Sequence, residues 1–528
     1  MMKYFRRNRL ILRSFQEISF EETMQRKMNK HVPLSRSLQE CRQMLERIFE
    51  NCKDIIFLPW RYGPDLQYEA LTVYCVTLVH DQETNYFKSA MQDLAPHEIG
   101  QAQSDITPEV VSGFFEKHGA SSETAHVIGD VNKAVVDILS GNVVIFFDQW
   151  DKALSYKAKT LQERQVTENV IEPVVRGPHD STVESLKKNI GLIRTRIKTP
   201  DFKLQLLTGG GDSKSEIAYG YIEGSVNPET LTEFEKRISP IKHLDILETS
   251  YIEELLEESV YSPFSQFRVT ERPDAAAAAL LDGKIIVMVS GSPSILICPG
   301  LFFEFLQSPE DYYHRTAFSS VIRLIRLIAF FITLLLPSIY IAYTTFNPEL
   351  IPTVLLLALL NTREGIPFPA FVEALIMTFF FEIMTEAGIR LPRPVGSAVS
   401  IVGALVIGEA AISAGIASPA MVVVVALTGI AQFSLPQYNF VLAVRLMRYP
   451  LMILSATLGG FGLLIGLLLI LLHMMSLRSL GQPFVAPLGP ARPRQLRDVF
   501  MRAPLKSLLR SPRNRHRHDV YAHNKKEG

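Results

Sequence analysis

The chain has 528 residues, balances 54 Lys and Arg against 54 Asp and Glu, and is 47% hydrophobic. That hydrophobic content is high for a wholly soluble protein, and the length suggests two to four structural units. Cys41, Cys52, Cys75 and Cys298 form no CxxC pair, and no His/Cys cluster has zinc spacing, so no metal site is expected and the thiols read as reduced and buried.

Neutrality is the sum of unlike parts. Charged and apolar residues alternate to about Tyr313, apolar runs dominate from Leu324 to His473, and the chain turns basic and proline-rich after Arg478. Met1–Leu12 starts basic but lacks an apolar stretch long enough for a secretory signal. The N-terminal region is therefore expected on the cytoplasmic side, with the first membrane helix directing insertion.

Residues 1–35 read as a basic mobile arm. Ser35–Phe49 has helical apolar spacing after a Ser cap, and β-branched and aromatic residues over Glu69–Val79 predict a strand. Pro108–Lys117 and Asp130–Leu139 predict helices, with Ser140-Gly141 ending the second. Asn142–Phe147 and Ala153–Ala158 predict strands. Alternating helices and strands make 36–165 a first α/β subdomain.

A second α/β subdomain is expected over 172–313. Asp180–Lys188 starts like a capped helix. Phe202–Leu207 and Glu216–Ile222 read as strands joined by Thr208–Ser215. Pro228–Ile238, Tyr251–Glu257 and the alanine-rich Arg272–Leu281 read as helices, and Lys284–Val289 and Ser294–Cys298 as strands around a Ser290–Pro293 turn. Gly209-Gly210-Gly211 with Lys214 invites a phosphate-loop reading, but the GxxxxGK[ST] pattern between a strand and a helix is missing, so the run reads as a flexible hairpin tip. No GxSxG, HExxH or Rossmann fingerprint stands in the right context. The fold class is thus an α/β soluble N-terminal region of two subdomains, followed by an all-α polytopic transmembrane domain.

Spanning a bilayer takes about 20 apolar residues. In the transmembrane domain, 320–475, Leu324–Tyr343 is the first candidate. Arg315, Arg323 and Arg326 precede it and no Lys or Arg follows in Thr344–Leu350, so its N-terminal side faces the cytoplasm. Leu350–Leu360 is apolar but short, which suits a re-entrant or half-spanning piece. Pro367–Ile389, carrying Glu373, Glu382 and Glu386, either spans or lies at the interface. Ser397–Ile416 and Pro419–Leu435 follow, and Leu451–His473 is the clearest spanning helix. Arg390, Arg393, Arg445 and Arg448 leave four to six crossings open. The basic Pro/Arg-rich tail, 476–528, suits the cytoplasmic side and anionic lipid.

One helix carries two contrasting stripes. At about 100° per residue, Val399, Val402, Val406, Glu409 and Ser413 share a face, while Ala404, Gly408, Ala411 and Gly415 lie opposite. The small stripe permits close helix packing. In a symmetric ring the valines would gate by dewetting and a ring of Glu409 would attract cations; the competing reading puts Glu409 near the membrane edge or against an arginine of a neighbouring helix.

Four strings carry a resemblance. Glu172–Lys198 (EPVVRGPHDSTVESLKKNIGLIRTRIK), Thr362–Pro369 (TREGIPFP), Glu382–Val399 (EIMTEAGIRLPRPVGSAV) and Ser400–Gly408 (SIVGALVIG) resemble, in this order, the A subunits of GerA-type spore germinant receptors. The likeness runs from about residue 36 to about 490. It departs at Thr208–Ser215, where the family often has basic residues, and covers the arm and tail poorly. It implies a role in germination at the inner membrane of bacterial endospores. The implied partners are a multi-spanning, nutrient-binding B subunit, a lipoprotein C subunit and further copies of the chain in a ring, proposed to be pentameric, that releases cations when nutrient binds. No cofactor and no nucleic-acid partner are expected.

Against this nutrient-gated channel stands a non-conducting scaffold or signalling subunit of the same receptor, which the soluble half and basic tail suit equally. A secondary transporter ranks lower, because the membrane half shows no internal repeat. An enzyme ranks last.

Overall fold

The computed structural model describes residues 32–62, 66–79, 125–158, 172, 174–390, 406–491 and 496–504. The helix expected over Pro108–Lys117 lies outside them. The chain divides into two compact units, one of Met1–Gln165 with Lys187–Leu206, the other of Val166–Leu186 with Leu207–Gly528.

The first unit holds an antiparallel sheet in the order β1–β2–β4–β5–β3, formed by Ile55–Tyr62 (β1), Tyr68–Cys75 (β2), Ala125–Ile128 (β3), Asn142–Phe147 (β4) and Ala153–Lys157 (β5). Helices Leu38–Ile48 (α1) and Val131–Ser140 (α2) share a core with one sheet face. There Leu45, Phe49, Ala134 and Ile138 meet Leu71, Val73, Val144 and Phe146. The opposite parity, Ala70, Val143, Ile145 and Phe147, builds a second cluster with Tyr62 and Trp150. Burial on both faces explains why β4 reads NVVIFF without alternation. Asp130 caps α2 by accepting from Asn132 N, and Gly141 ends it in the left-handed region at φ 92°. β1 escapes the sequence reading because Pro59 interrupts it; proline is tolerated there because β1 is an edge strand.

Helix Leu186–Arg196 (α3) and strand Phe202–Thr208 (β6) follow. The helix starts six residues later than the expected Asp180–Lys188 start, since Ser181 and Thr182 are spent on the Glu271 carbonyl instead of capping. Buried Arg194 of α3 closes a bidentate pair with Asp54, Nε to Oδ2 at 2.7 Å and Nη2 to Oδ1 at 2.9 Å, and also donates to the carbonyls of Thr199 and Phe202.

The second unit's strands are Glu216–Ile222 (β7), Arg268–Thr270 (β8), Ile285–Val289 (β9) and Ile295–Cys298 (β10), ordered β7–β9–β10–β8. The pairings β7–β9, β9–β10 and β10–β8 are antiparallel. Helices Pro228–Ile238 (α4) and Thr249–Leu256 (α5) cover one face through Phe234, Ile252 and Leu256. Pro273–Leu281 (α6) packs on the same sheet, whose opposite parity of Ala218, Ile286 and Met288 is also buried. The glycine run at 209–211 is held, not loose. Gly210 N donates to the Ile241 carbonyl and Ser213 N to Asp245 Oδ1, and a Cβ on Gly210 would fall 1.8 Å from the Lys242 carbonyl oxygen. Glycine is there because backbone meets backbone.

Helices then take over: Thr316–Thr345 (α7), Thr353–Arg363 (α8), Ala370–Arg390 (α9), residues 406–413 (α10), Pro419–Gln432 (α11) and Tyr438–Ser476 (α12). Among the described residues, α7 and α12 are long and apolar enough to cross a membrane. All four cysteines are free and buried, and burial pushes the Cys75 thiol up to about 12.

Candidate functional site in the helical region

Helix α12 is two arms, not one rod. Gly459 stands at φ 63°, ψ −142°, outside the helical region. A Cβ on Gly462 would lie 2.1 Å from the Leu454 carbonyl oxygen, and one on Gly466 2.5 Å from Leu451 Cδ2. Residues eight and fifteen apart touch only if the chain reverses, because a straight helix would part them by about 12 and 22 Å. The single span expected over Leu451–His473 is therefore corrected to a hairpin. Its tip meets the end of α7, where a Cβ on Gly459 would sit 2.7 Å from Phe346 Cβ. Its two ends meet around Phe264, whose ring lies 6.4 Å from Phe440 and 6.2 Å from His473.

Two ion clusters cross-link the helices. Glu373 of α9 is fully buried, accepts from Ser418 N at 2.9 Å and Ser418 Oγ at 2.8 Å, and faces Arg363 Nη2 at 3.1 Å. Ser418 is the N-cap of α11, so the carboxylate also sits where that helix's amide dipoles favour negative charge. One helical stretch further, Glu382 pairs with Arg445 and with Arg448 Nη2 at 2.8 Å, both from the first arm of α12. The signal for both clusters was present as acidic residues in one apolar segment and arginines in another; which segments lie side by side is a tertiary fact.

The stripe residues fall as follows. Val399, Val402 and Ala404 lie outside the described residues. Val406 is 56% exposed, and Glu409 and Ser413 are exposed beside it. Gly408 and Ala411 are buried, with the Gly408 Cβ position 3.5 Å from Val422 of α11. Gly415 stands past the helix end at φ 65°, terminating α10 instead of extending its small stripe. Among the described residues no ion pair reaches Glu409.

The helices are seated on the soluble part of the same unit. Buried Glu172 accepts from Thr270 Oγ1 at 2.6 Å and from Gln437, the N-cap residue of α12. Burial pushes the Glu172 carboxyl above its ordinary range, against the pull of Arg268 and Arg272. Asp311 accepts from Arg323 at 2.9 Å and Arg326 at 2.7 Å at the start of α7. Phe264, Phe302, Phe305, Phe330, Phe440 and Phe484 form one aromatic cluster between the two parts.

Soluble α/β layers with antiparallel sheets, joined to helices of which two are apolar enough to cross a bilayer, define a membrane-associated protein of mixed architecture. The description of the Bacillus/Clostridium GerA spore germination protein matches residues 43–514, and the chain belongs to that family. It is 37% identical over 92% of both chains to the uncharacterized membrane protein YfkQ of Bacillus subtilis. It is 44% identical to spore germination protein KA of Bacillus subtilis over 71% of this chain and 69% of that one. Spore germination protein GerLA of Bacillus cereus is 37% identical over 81% of this chain and 85% of its own. Among solved structures, the N-terminal domain of the A subunit of the Bacillus megaterium spore germinant receptor GerK3 aligns at 25% identity and a TM-score of 0.39, over 52% of this chain and 99% of that one. Membership gives the chain a role in spore germination.

Proposed function

We propose that this chain is the A-type membrane subunit of a nutrient germinant receptor. In this reading it forms an oligomeric cation path along the exposed face of α10, and nutrient bound to a partner subunit gates that path. The observation carrying it is Glu409: a carboxylate on the exposed side of a helix whose other side packs on α11, with no described cation to pair it. Lipid does not solvate such a charge, so it faces water or another copy of the chain. Several copies would place Val406, Glu409 and Ser413 around a common axis, with a valine constriction and a carboxylate ring. Gating is then a population shift set by the partner's affinity for the open ring. The B-type and C-type subunits, the pentamer, anionic lipid at the basic tail, the cytoplasmic N-terminal region and the spore inner membrane belong to the same reading.

The test expresses the chain with its partner subunits in growing cells at matched levels, as wild type and with Val402→Ala, Val406→Ala or Glu409→Gln. Cell potassium and membrane potential are followed. A leak from the valine variants, with Glu409→Gln reducing it when combined, supports the channel. Intact complexes with no leak in any variant transfer the reading to a non-conducting scaffold.

A further inference from the structure

Two segments more than two hundred residues apart end up at the same end of the helical region, each carrying an exposed apolar pair. The first is Val260–Tyr261. Tyr261 is 102% exposed and Val260 is exposed beside it. The turn is not free: Ser262 N donates to the Ser259 carbonyl, and Ser262 Oγ meets His473 Nε2 at 2.9 Å in the last turn of the second α12 arm. The second is Phe500–Met501, with Met501 64% exposed. Asp498 accepts from Tyr312 at 2.5 Å and from Arg323 at 3.3 Å. Arg502 donates from its backbone to Ser320 Oγ at 3.2 Å and from its side chain to the carbonyls of Tyr312 and His314. Both ends of the pair are thereby fastened to the first turns of α7.

The start of α7 and the end of α12 lie opposite the tip where Gly459 meets Phe346. Both pairs therefore stand on one side, where the apolar helix surfaces give way to the soluble subdomain. Leu468, Leu472 and Met475 are exposed in the last turns of α12, which end at the Ser262–His473 contact, and Phe318 and Val321 are exposed in the first turns of α7, where Ser320 holds Arg502. Apolar side chains held out by fastened loops are a liability in water. At a bilayer surface the tyrosine ring suits the headgroup layer, and the aliphatic and phenyl groups leave water.

We propose that Val260–Tyr261 and Phe500–Met501 are two lipid-contacting anchors that seat this unit on the membrane surface at the ends of α12 and α7. The partner is the headgroup–acyl boundary of the bilayer. The inference rests on the reading of α7 and α12 as membrane-crossing.

The experiment uses the full chain in phosphatidylcholine–phosphatidylglycerol vesicles, with an environment-sensitive fluorophore attached at Tyr261→Cys or Met501→Cys. The unsubstituted chain serves as blank, its four cysteines being buried. Leu464→Cys, exposed on the second arm, reports the spanning reading. Tyr251→Cys reports water, because α5 starts beside Glu248, which holds Ser292 at the β9–β10 turn, the end of the sheet away from Cys298 and α7. The expected result is blue-shifted emission at 261 and 501, quenched by headgroup-level spin-labelled lipid more than by aqueous iodide. Leu464→Cys is quenched by deep spin label and Tyr251→Cys by iodide. If 261 and 501 behave like 251 while 464 remains deep, the anchors are refuted and the spanning helices stand; protection of 261 and 501 from both quenchers assigns them to a protein interface and refutes the anchors too. Iodide quenching at 464 refutes the spanning reading itself.

Discussion

Asp54 and Arg194, 140 positions apart, meet in a two-pronged ion pair with side chains 1% and 0% exposed. The Arg194 guanidinium also lies 4.5 Å from the centre of the Phe202 ring. Removing one partner leaves a charge in a site built to exclude water, which costs about 3–5 kcal/mol. Asp54→Ala and Arg194→Ala should each accelerate hydrogen exchange in β1, β2 and α3. The double variant Asp54→Leu/Arg194→Met should lose less than the sum of the single losses.

Glu257 and Glu248 respond to pH in opposite ways. Burial lifts Glu257 from the ordinary 4.5 to about 7, even though its carboxylate accepts from Gln266 N. The folded form holds the proton longer than the unfolded one, so stability is full below about 4.5 and falls as pH rises to about 7. Glu257→Gln should abolish that fall in thermal scans of the full chain. Burial opposes the charge of Glu248, but hydrogen bonds from Thr249, Ser250 and Ser292 outweigh it and lower the carboxyl to about 2. Its stabilisation is present above 4.5 and lost as pH falls through about 2. A Glu257→Gln scan that keeps the wild-type slope between pH 4.5 and about 7 would contradict the assignment.

The hairpin in α12 depends on Gly459. Its dihedrals suit glycine alone, and a side chain there costs about 1–3 kcal/mol before any clash with Phe346. Gly459→Ala should reduce the amount of assembled protein, and Gly459→Val should reduce it further. Phe346→Ala should rescue the alanine variant only in part, since it removes the ring contact but leaves the Cβ at 2.7 Å and the backbone strain. Membrane accumulation of the full chain measures this.

Glu382 neutralises two arginines of the neighbouring helix, one of which, Arg448, is 1% exposed. Glu382→Gln should destabilise the bundle by about 3–5 kcal/mol, read as increased protease sensitivity in membranes. Exchanging the charges, Glu382→Arg with Arg448→Glu, should recover part of the loss. No recovery would mean that the geometry of the pair, and not its charge balance, holds α9 to α12.

Much of this architecture was legible along the chain, because it depends on neighbours in sequence. Continuous apolar runs at Asn142–Phe147 and Ile285–Val289 announce strands covered on both faces, and Asp130 and Gly141 bracket α2 through local capping. The charge-poor stretch from Leu324 announces helices suited to lipid. Tertiary structure decided the rest, because it depends on which distant segments share space. Antiparallel pairing of the strands, the hold on the glycine run at 209–211 and the partners of Glu373 and Glu382 are invisible to any local window. So is the reversal at Gly459: the residues around it are as apolar as those of a straight span, and the contacts of Leu454 with Gly462 and of Leu451 with Gly466 show that the chain turns back. Periodicity reports which side of an element is apolar, but desolvation energy depends on what stands opposite, and that is known only once the chain has folded.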